Sequence, residues 1–496
     1  MTQSFTGASA IRAAMMVMGS TYVTYALGLV TSVLVARSLG PDDFGRYSYV
    51  VWLAGLLIAF GNNGLTTTAI RFVSESLGRA SVESANDIHG WLRRWQYLCL
   101  LLVSALFVCA IPFFLPAGWE GHLGFFVAVV LVASVAKALF LFDVSIAKGH
   151  GSFGVEAKST VVISFLNIIA VVILFQLEAP LEAYLVLFAT VGAGYALLTR
   201  YMLWRGGFRP SSQAPEPALK QRVGRHLAWT VVLTLTYAIS NKSIETWMLN
   251  ALVGSAAVGY FAIAGSLTKG GIDLLSSGLA AVVMPAMSHA FGAGGAERAN
   301  AIMASSLRYF QFLGLLLAGG GVAVAEFAVW LMYGGDYQPV VPVLRIMILV
   351  GGLMLVEGAF NALLSTTDNQ RLRVMFTVIS VGVAALFAIA LIPTYGLMGA
   401  VVAHAASRII VSIALTIFAM RMLHLKLPWR ELGLQYLSAI VAALPAIALM
   451  MSTERRWIGL VAAVVYGIVF VGCTVLLKAW RAQDVLHVLD FLERYP

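Results

Sequence analysis

Long apolar runs dominate this chain. About fourteen of them reach or approach the ~20 residues that a helix needs to cross a bilayer. They fall at 13–36, 44–74, 95–115, 123–147, 159–177 and 181–204, then at 227–251, 259–288, 307–332, 340–366, 374–393 and 397–420, and last at 432–451 and 457–477. Of the 496 residues, 60% are hydrophobic and 11% are charged, against roughly 25% charged in soluble domains. So much apolar surface needs either a very large core or a bilayer, and runs of this length decide for the bilayer. The expected fold is an all-α integral membrane protein. The first run is longer than the ~7–15-residue core of a secretory signal, and no small-residue cleavage site follows it. It reads as the first span.

Composition changes between the sixth and seventh runs. Arg205, Arg209, Lys220, Arg222 and Arg225 share this stretch with Pro210, Pro215 and Pro217, the make-up of a solvated linker. The expected organisation is an N-terminal six-helix lobe at 1–204, a basic cytoplasmic linker at 205–226, a C-terminal six-helix lobe at 227–424, and two additional helices with a short amphipathic tail at 425–496. A glycine pattern relates the lobes. Gly40, Gly45, Gly64 and Leu65 reappear 214 positions later as Gly254, Gly259, Gly278 and Leu279. Two similar halves in a pseudo-twofold arrangement describe an internal repeat of the kind found in secondary transporters, whose substrate sites lie between the halves.

Lysine and arginine set the orientation. With the N-terminus in the cytoplasm, that side receives Arg79, Arg93, Arg94, Lys148, Lys158, Arg200, the linker cations, Arg298, Arg371, Arg373, Arg421, Lys426, Arg430, Lys478, Arg481 and Arg494. The other side receives Arg37, Arg46, Arg345, Arg455 and Arg456. The bias predicts cytoplasmic N- and C-termini. Glu454-Arg455-Arg456 is the dissenting loop. Trp91 and Trp95, on either side of Arg93-Arg94, read as an interfacial anchor. The +9 net charge is spread over short loops as topology requires, so no nucleic-acid partner is implied. Outer loops of about 5–12 residues leave no room for a soluble catalytic domain, and the chain is not expected to be an enzyme.

Two short motifs fail on context. Gly149-x-Gly151-x-x-Gly154 lacks the preceding strand of a dinucleotide fold, and Asn241-Lys242-Ser243 is a glycosylation sequon inside a span. Cys99, Cys109 and Cys473 lie in apolar runs without metal-ligand spacing. No metal or cofactor is implied.

The informative residues are charges inside spans, each costing ~2.5–3.5 kcal/mol at mid-bilayer on the gentler insertion scale. They are Lys137, Asp143, Lys242, Glu245, Lys269, Asp273, Glu326, Glu357 and Arg408. Lys269 with Asp273, Lys242 with Glu245, Glu357 with Asn361 and His404 with Arg408 are three or four apart, so each pair shares a helix face. Local ion pairing that neutralises each helix is one reading. The other makes Lys269, Arg408, Lys242 and Lys137 the lining of a wet cavity for an anionic group, with Asp273, Glu357, Glu245 and Asp143 as candidates to carry a coupling proton or sodium ion. Arg71, four before Glu75, is either a snorkelling arginine or a phosphate contact at the cytoplasmic mouth. Gly61-Asn62-Asn63-Gly64 weakens the second span, and Gly61 and Gly64 serve either a hinge or a static kink.

The stretch Ala36-Arg37-x-Leu39-Gly40-x-x-x-Phe44-Gly45-x-Tyr47, then Gly64-Leu65 and Arg71, resembles the polysaccharide transporters, or O-antigen-type flippases, of the multidrug/oligosaccharidyl-lipid/polysaccharide exporter superfamily. The organisation of six, linker, six and two matches as well. The resemblance implies flipping of an undecaprenyl-diphosphate-linked oligosaccharide, an O-antigen, capsule or exopolysaccharide unit, across the bacterial inner membrane. It also implies a monomer among membrane lipids, with polysaccharide-assembly proteins as candidate partners. Its cationic central cavity suits Lys269, Arg408, Lys242 and Lys137. A drug or metabolite antiporter of the same fold is one competing reading, although a cationic drug would want an acidic cavity. A membrane polymerase or ligase acting on lipid-linked sugars is another, and the short outer loops count against it.

Overall fold

The computed structural model describes residues 7–240, 242–366, 370–422, 425, 427–453 and 455–480. The tail beyond Trp480, Lys426, Glu454 and the rejected sequon's Asn241 lie outside the described residues. Every regular element among those described is helical. The chain forms two compact units, residues 1–259 and 260–496.

The first unit begins with α1 (Gly7–Asn62), which is really two helices. At Gly40 φ is 72°, and Pro41 follows, so the backbone leaves the helical ladder there. The described apolar part, Thr21–Asn62, has 42 residues and would be about 63 Å long if straight, twice a ~30 Å bilayer core. The bend makes it two spans. α2 (Leu65–Gly78), α3 (Val82–Ala110), α4 (Leu123–Gly149), α5 (Gly154–Gln176) and α6 (Leu181–Arg205) follow. Ser81 caps α3 by accepting the Ser84 amide at 3.3 Å, satisfying one free N–H of the first turn. Small residues let α4 and α6 approach closely, with Gly192 against the Ala133 backbone.

The basic stretch is irregular only over 206–216. From Pro217 it is helical, as α7 (Pro217–Ser240), because proline suits a first helical turn. Nor does it hang free in solvent. Ser211 donates its amide to the Asn86 carbonyl at 3.0 Å, and Arg94 donates to the carbonyls of Ser212 and Gln213 at 3.1 and 3.0 Å. Val223, with Phe208, Leu219 and Leu227, joins a core made by Leu65, Phe72, Ile88, Leu92, Phe142 and Ile146. α8 (Ser243–Leu252) and the first turns of α9 (Ser255–Thr268) complete the unit. The repeated glycines meet here. A Cβ on Gly45 would lie 1.9 Å from the Ser255 carbonyl oxygen, and one on Gly259 would lie 3.2 Å from Gly45 Cα. The 214-residue echo thus marks a backbone crossing that only glycine allows.

The second unit holds the rest of α9, a widened π turn at Lys269–Asp273, and α10 (Leu274–Tyr333), with Gly295 at φ 65° inside it. Then come α11 (Val340–Leu353), α12 (Glu357–Thr366), α13 (Gln370–Met422), α14 (Trp429–Ser452) and α15 (Ile458–Leu476). α13 bends at Gly396, φ 54°, just after Pro393. α14 and α15 pack on the second half of α10 through Leu315, Ala323, Ala442, Ala446, Ala462, Tyr466 and Phe470. The Tyr466 hydroxyl donates to the Leu315 carbonyl at 2.9 Å.

Ten described helices are long and apolar enough to cross a membrane. Two of them, Thr21–Asn62 and Val374–Arg421, contain the bends at Gly40 and Gly396, so ten and two make twelve spans. The remaining two apolar runs coincide with polar interruptions: the left-handed Lys242 just before α8, and the π turn between α9 and α10. Large apolar side chains such as Leu106, Leu197, Leu386, Ile440 and Ile468 are exposed. In water they would be a liability, and in lipid they face their proper solvent. The chain is a multi-pass membrane protein.

Candidate functional site

Asp143 has no partner on its own helix within a turn. It is 1% exposed, and such a carboxylate needs a cation brought from elsewhere. α3 supplies Arg93, whose guanidinium donates to Asp143, and α6 supplies Arg200 at 3.6 Å. Arg93 is 4% exposed and lies over the Phe142 ring at 4.4 Å. Arg93 also donates to Gln96 Oε1 at 3.0 Å. Gln96 Nε2 donates to Asn62 Oδ1 at 2.8 Å and to the Ala138 carbonyl at 3.0 Å, and Asn62 Nδ2 reaches the same carbonyl at 3.2 Å. One buried network therefore ties the last residue of α1 to α3, α4 and α6.

This corrects the interfacial-anchor expectation for Arg93. Arg94 does face outward onto the linker, but one position earlier the helix turns Arg93 inward. The anchor reading applies to Trp91, Arg94 and Trp95, with the two indoles in edge contact at 6.1 Å. Sequence spacing does not single out Arg93, Gln96 or Arg200 as partners of Asp143. The signal available was Asp143 itself, an in-span carboxylate with no cation three or four residues away.

Lys137, two turns earlier on α4, is not part of that network. Its ammonium sits 3.5 Å from the Tyr195 ring centroid and 4.3 Å from that of Phe140, a cation held by π faces. Tyr195 shares a 2.8 Å hydrogen bond with Ser164.

Gly61-Asn62-Asn63-Gly64 is the break between α1 and α2. Asn63 and Gly64 take φ 46° and 77°, a left-handed pair that ends one helix and re-aims the next. The break is packed on both sides. A Cβ on Gly61 would meet Leu100 at 2.5 Å, and one on Gly64 would meet Thr230 of α7 at 2.8 Å. Nearly two turns into α2, Arg71 donates from its guanidinium to His226 Nδ1 at 3.0 Å. Glu75 accepts from Arg222 and from Arg79 at 2.7 Å. The Arg222 hydrogen bond holds the Glu75 carboxyl below its ordinary range. Burial and then Arg71 push His226 down. α2 and α7 are thus joined by a strip of polar contacts beyond the packed Gly64 crossing.

Lys242 lies at the break before α8, with φ 60°, rather than on a continuous span with Glu245. Glu245, in the first turn of α8, is 2% exposed.

In the second unit the charges singled out from the sequence are more open. Lys269 and Asp273 bracket the π turn and both are exposed. Among the described residues neither has an ion-pair partner. The extra residue in such a turn bulges the backbone outward, as often occurs at functional sites. Glu357, at the start of α12, does not need Asn361 as its partner. Its Oε2 accepts from Arg408 of α13 at 2.9 Å, and the two side chains are 27% and 24% exposed. His404, one turn before Arg408, meets the Phe261 ring edge-on at 6.4 Å. Glu326 likewise takes its cation from afar, Arg345 at 3.2 Å.

The structure thus joins Asp143 to Arg93 and Arg200, Glu357 to Arg408 and Arg71 to His226. It leaves Lys137 on aromatic rings, and Lys269 and Asp273 exposed.

Comparison with known proteins adds family and fold. The family described as polysaccharide biosynthesis protein matches residues 11–291. No curated protein sequence matches. Among solved structures, a lipid II flippase MurJ in an inward closed conformation superposes with a TM-score of 0.74 at 14% identity, covering 94% of this chain and 98% of its own. An inward-facing multidrug resistance MATE family transporter of the MOP superfamily gives 0.68 at 16% identity, over 81% and 94%. A MOP superfamily transporter from Pyrococcus furiosus Vc1 (DSM3638), whose binding pocket is described as of reverse polarity, gives 0.54 at 14%, over 84% and 95%.

Proposed function

The chain belongs to the polysaccharide biosynthesis protein family, and on that premise we propose that it flips a lipid-diphosphate-linked oligosaccharide across the bacterial inner membrane. The unit carried is of O-antigen, capsule or exopolysaccharide type. The protein works as a monomer with both termini in the cytoplasm. The family match over 11–291 supports a role in polysaccharide biosynthesis, and the shared fold with a lipid II flippase supports a lipid-linked cargo.

Charge supports an anionic cargo. A diphosphate needs cations in a medium of low dielectric, where each attracts it more strongly than in water. Lys269 is exposed on a widened turn within an apolar helix, and Arg408 of α13 is partly exposed. They are the proposed contacts for the diphosphate, and Lys137, Lys242 and Arg71 are further candidate cations. Asp273 and Glu357 are the proposed carriers of a coupling proton or sodium ion in an alternating-access cycle. Protonating Glu357 would weaken its ion pair with Arg408. Asp143, between two arginines, is a counter-charge in this scheme, while Glu245 stays a secondary candidate. Gly61 and Gly64 are the proposed pivot between α1 and α2.

A null strain tests the function. Lipid-linked repeat units should accumulate on the cytoplasmic leaflet. Repeat units on the outer leaflet that stay unpolymerised would favour a polymerase or ligase. Normal polysaccharide with raised drug sensitivity would favour the antiporter reading that the MATE likeness keeps in view.

A further inference from the structure

Two arginines on the outer side, by the Lys/Arg distribution of the chain, break its own topology rule. Arg455 and Arg456 lie in the connection between α14 and α15, where positive charge is the exception. This connection closes a cavity of about 930 Å³ lying wholly in the second unit, at the end of α10. Its lining joins aromatic and flexible apolar side chains, Phe327, Trp330, Met451 and Trp457, to Arg455 and Arg456. The Arg456 guanidinium rests 5.6 Å from the Trp330 ring centroid, which orients it without neutralising it. Glu326, also on the wall, already has Arg345 as its partner. Among the described residues neither Arg455 nor Arg456 has a carboxylate partner. Among the described residues the wall thus carries more positive than negative charge at its polar rim.

The apolar side of the cavity is continuous with the bilayer-facing surface of α14. Ile440, Leu444, Ile447 and Met451 recur at helical spacing, and all four are exposed, Met451 to 82%. Tryptophans at one end of such a stripe, with arginines beside them, form the arrangement that meets a headgroup. A ligand filling this site must therefore have an anionic phosphate at one end and hydrocarbon at the other. It must also be reachable from the membrane without passing through the protein.

We propose that this cavity is a binding site for an anionic glycerophospholipid of the outer leaflet. Arg455 and Arg456 hold its phosphate, Trp330 and Trp457 flank the glycerol, and an acyl chain lies along the Ile440–Met451 stripe. The site stands apart from cargo handling and does not depend on the flippase reading. Its role is to dock α14 and α15 to the second half of α10 through a lipid with the right charge.

The test uses the full chain purified in detergent and native mass spectrometry with phosphatidylglycerol, phosphatidylethanolamine or an undecaprenyl-diphosphate lipid added. Wild-type protein should retain one phosphatidylglycerol in preference to phosphatidylethanolamine, and the doubly substituted Arg455→Gln/Arg456→Gln protein should bind it roughly 10- to 30-fold more weakly. Arg205→Gln/Arg209→Gln, which removes the same charge at the linker, should leave that one lipid in place. Melting curves without added lipid check that each variant is folded. Equal retention of both phospholipids, or unchanged binding in Arg455→Gln/Arg456→Gln, overturns the proposal. So does displacement of the retained lipid by the polyprenyl diphosphate at equal concentration, which would make the cavity a cargo site.

Discussion

The in-span charges singled out from the sequence are held differently in the two units. In the first, Asp143 is sunk between Arg93 and Arg200, and Gln96 and Asn62 extend the network until four helices are tied at one point. In the second, Lys269 and Asp273 are exposed on a π turn, and Glu357 and Arg408 keep about a quarter of their side-chain surface open. A buried pair is committed, because removing one member strands the other in a dry interior. An exposed charge remains available to a ligand. The cost of placing charge in a membrane helix is similar in both units, so sequence position does not separate the roles. Solvent access and partnership do.

The most disruptive test is Asp143→Asn. It leaves Arg93 buried without its carboxylate and should cost about 3–5 kcal/mol of stability. The readout is a sharp drop in melting temperature or in detergent-solubilised yield. A variant that melts like wild type would show that the network is not a tie. Asn62→Ala is smaller. It strips one partner from Gln96 and from the Ala138 carbonyl and should cost about 1–3 kcal/mol, with faster hydrogen exchange at the α1–α2 junction. In the second unit, Arg408→Ala should cost no more than about 1 kcal/mol, since a partly exposed pair is screened. Lys269→Ala should stay within about 0.5 kcal/mol. If either destabilises as much as Asp143→Asn, the contrast between the units fails.

The smallest expected effect concerns pH at the α2–α7 strip. His226 and Glu75 both have lowered pKa values in the folded protein. Each contribution is therefore full above the group's unfolded pKa and is lost as pH falls through the folded one. The His226 contact with Arg71 should weaken first, below about pH 6.5, and the Glu75 contact with Arg222 below about pH 4.3. The protection of the α2 amides, corrected for the intrinsic pH dependence of exchange, should fall between pH 7.5 and 5 in wild type and fall less in His226→Gln. Equal losses of protection in both proteins would remove His226 from the strip.

Much of the fold is legible in the sequence. Apolar runs of spanning length mark the helices, and Gly40 and the GNNG break fall where irregular backbone is found. The repeat of Gly45 as Gly259 proves to be a contact between the two copies, which spacing alone cannot reveal. Ion pairs are less legible, because i,i+4 logic finds partners only on the same helix. Glu357 and Asp143 find theirs 51 and 50 residues away. Arg93 beside Arg94 looks like a surface pair, and only a helix turned against α4 reveals that one of the two points inward. Gly278 shows the limit of the repeat. It matches Gly64 in spacing but lies within helical α10, while the irregular turn of that copy comes earlier, at Lys269–Asp273.

The most direct measurement is translocation in proteoliposomes. A lipid-diphosphate-linked oligosaccharide is loaded in the inner leaflet, and its appearance outside is read by an added lectin. Wild-type protein should move it. The Lys269→Ala/Arg408→Ala protein, with an unchanged melting temperature, should not. Translocation at the wild-type rate by that folded variant would contradict the account.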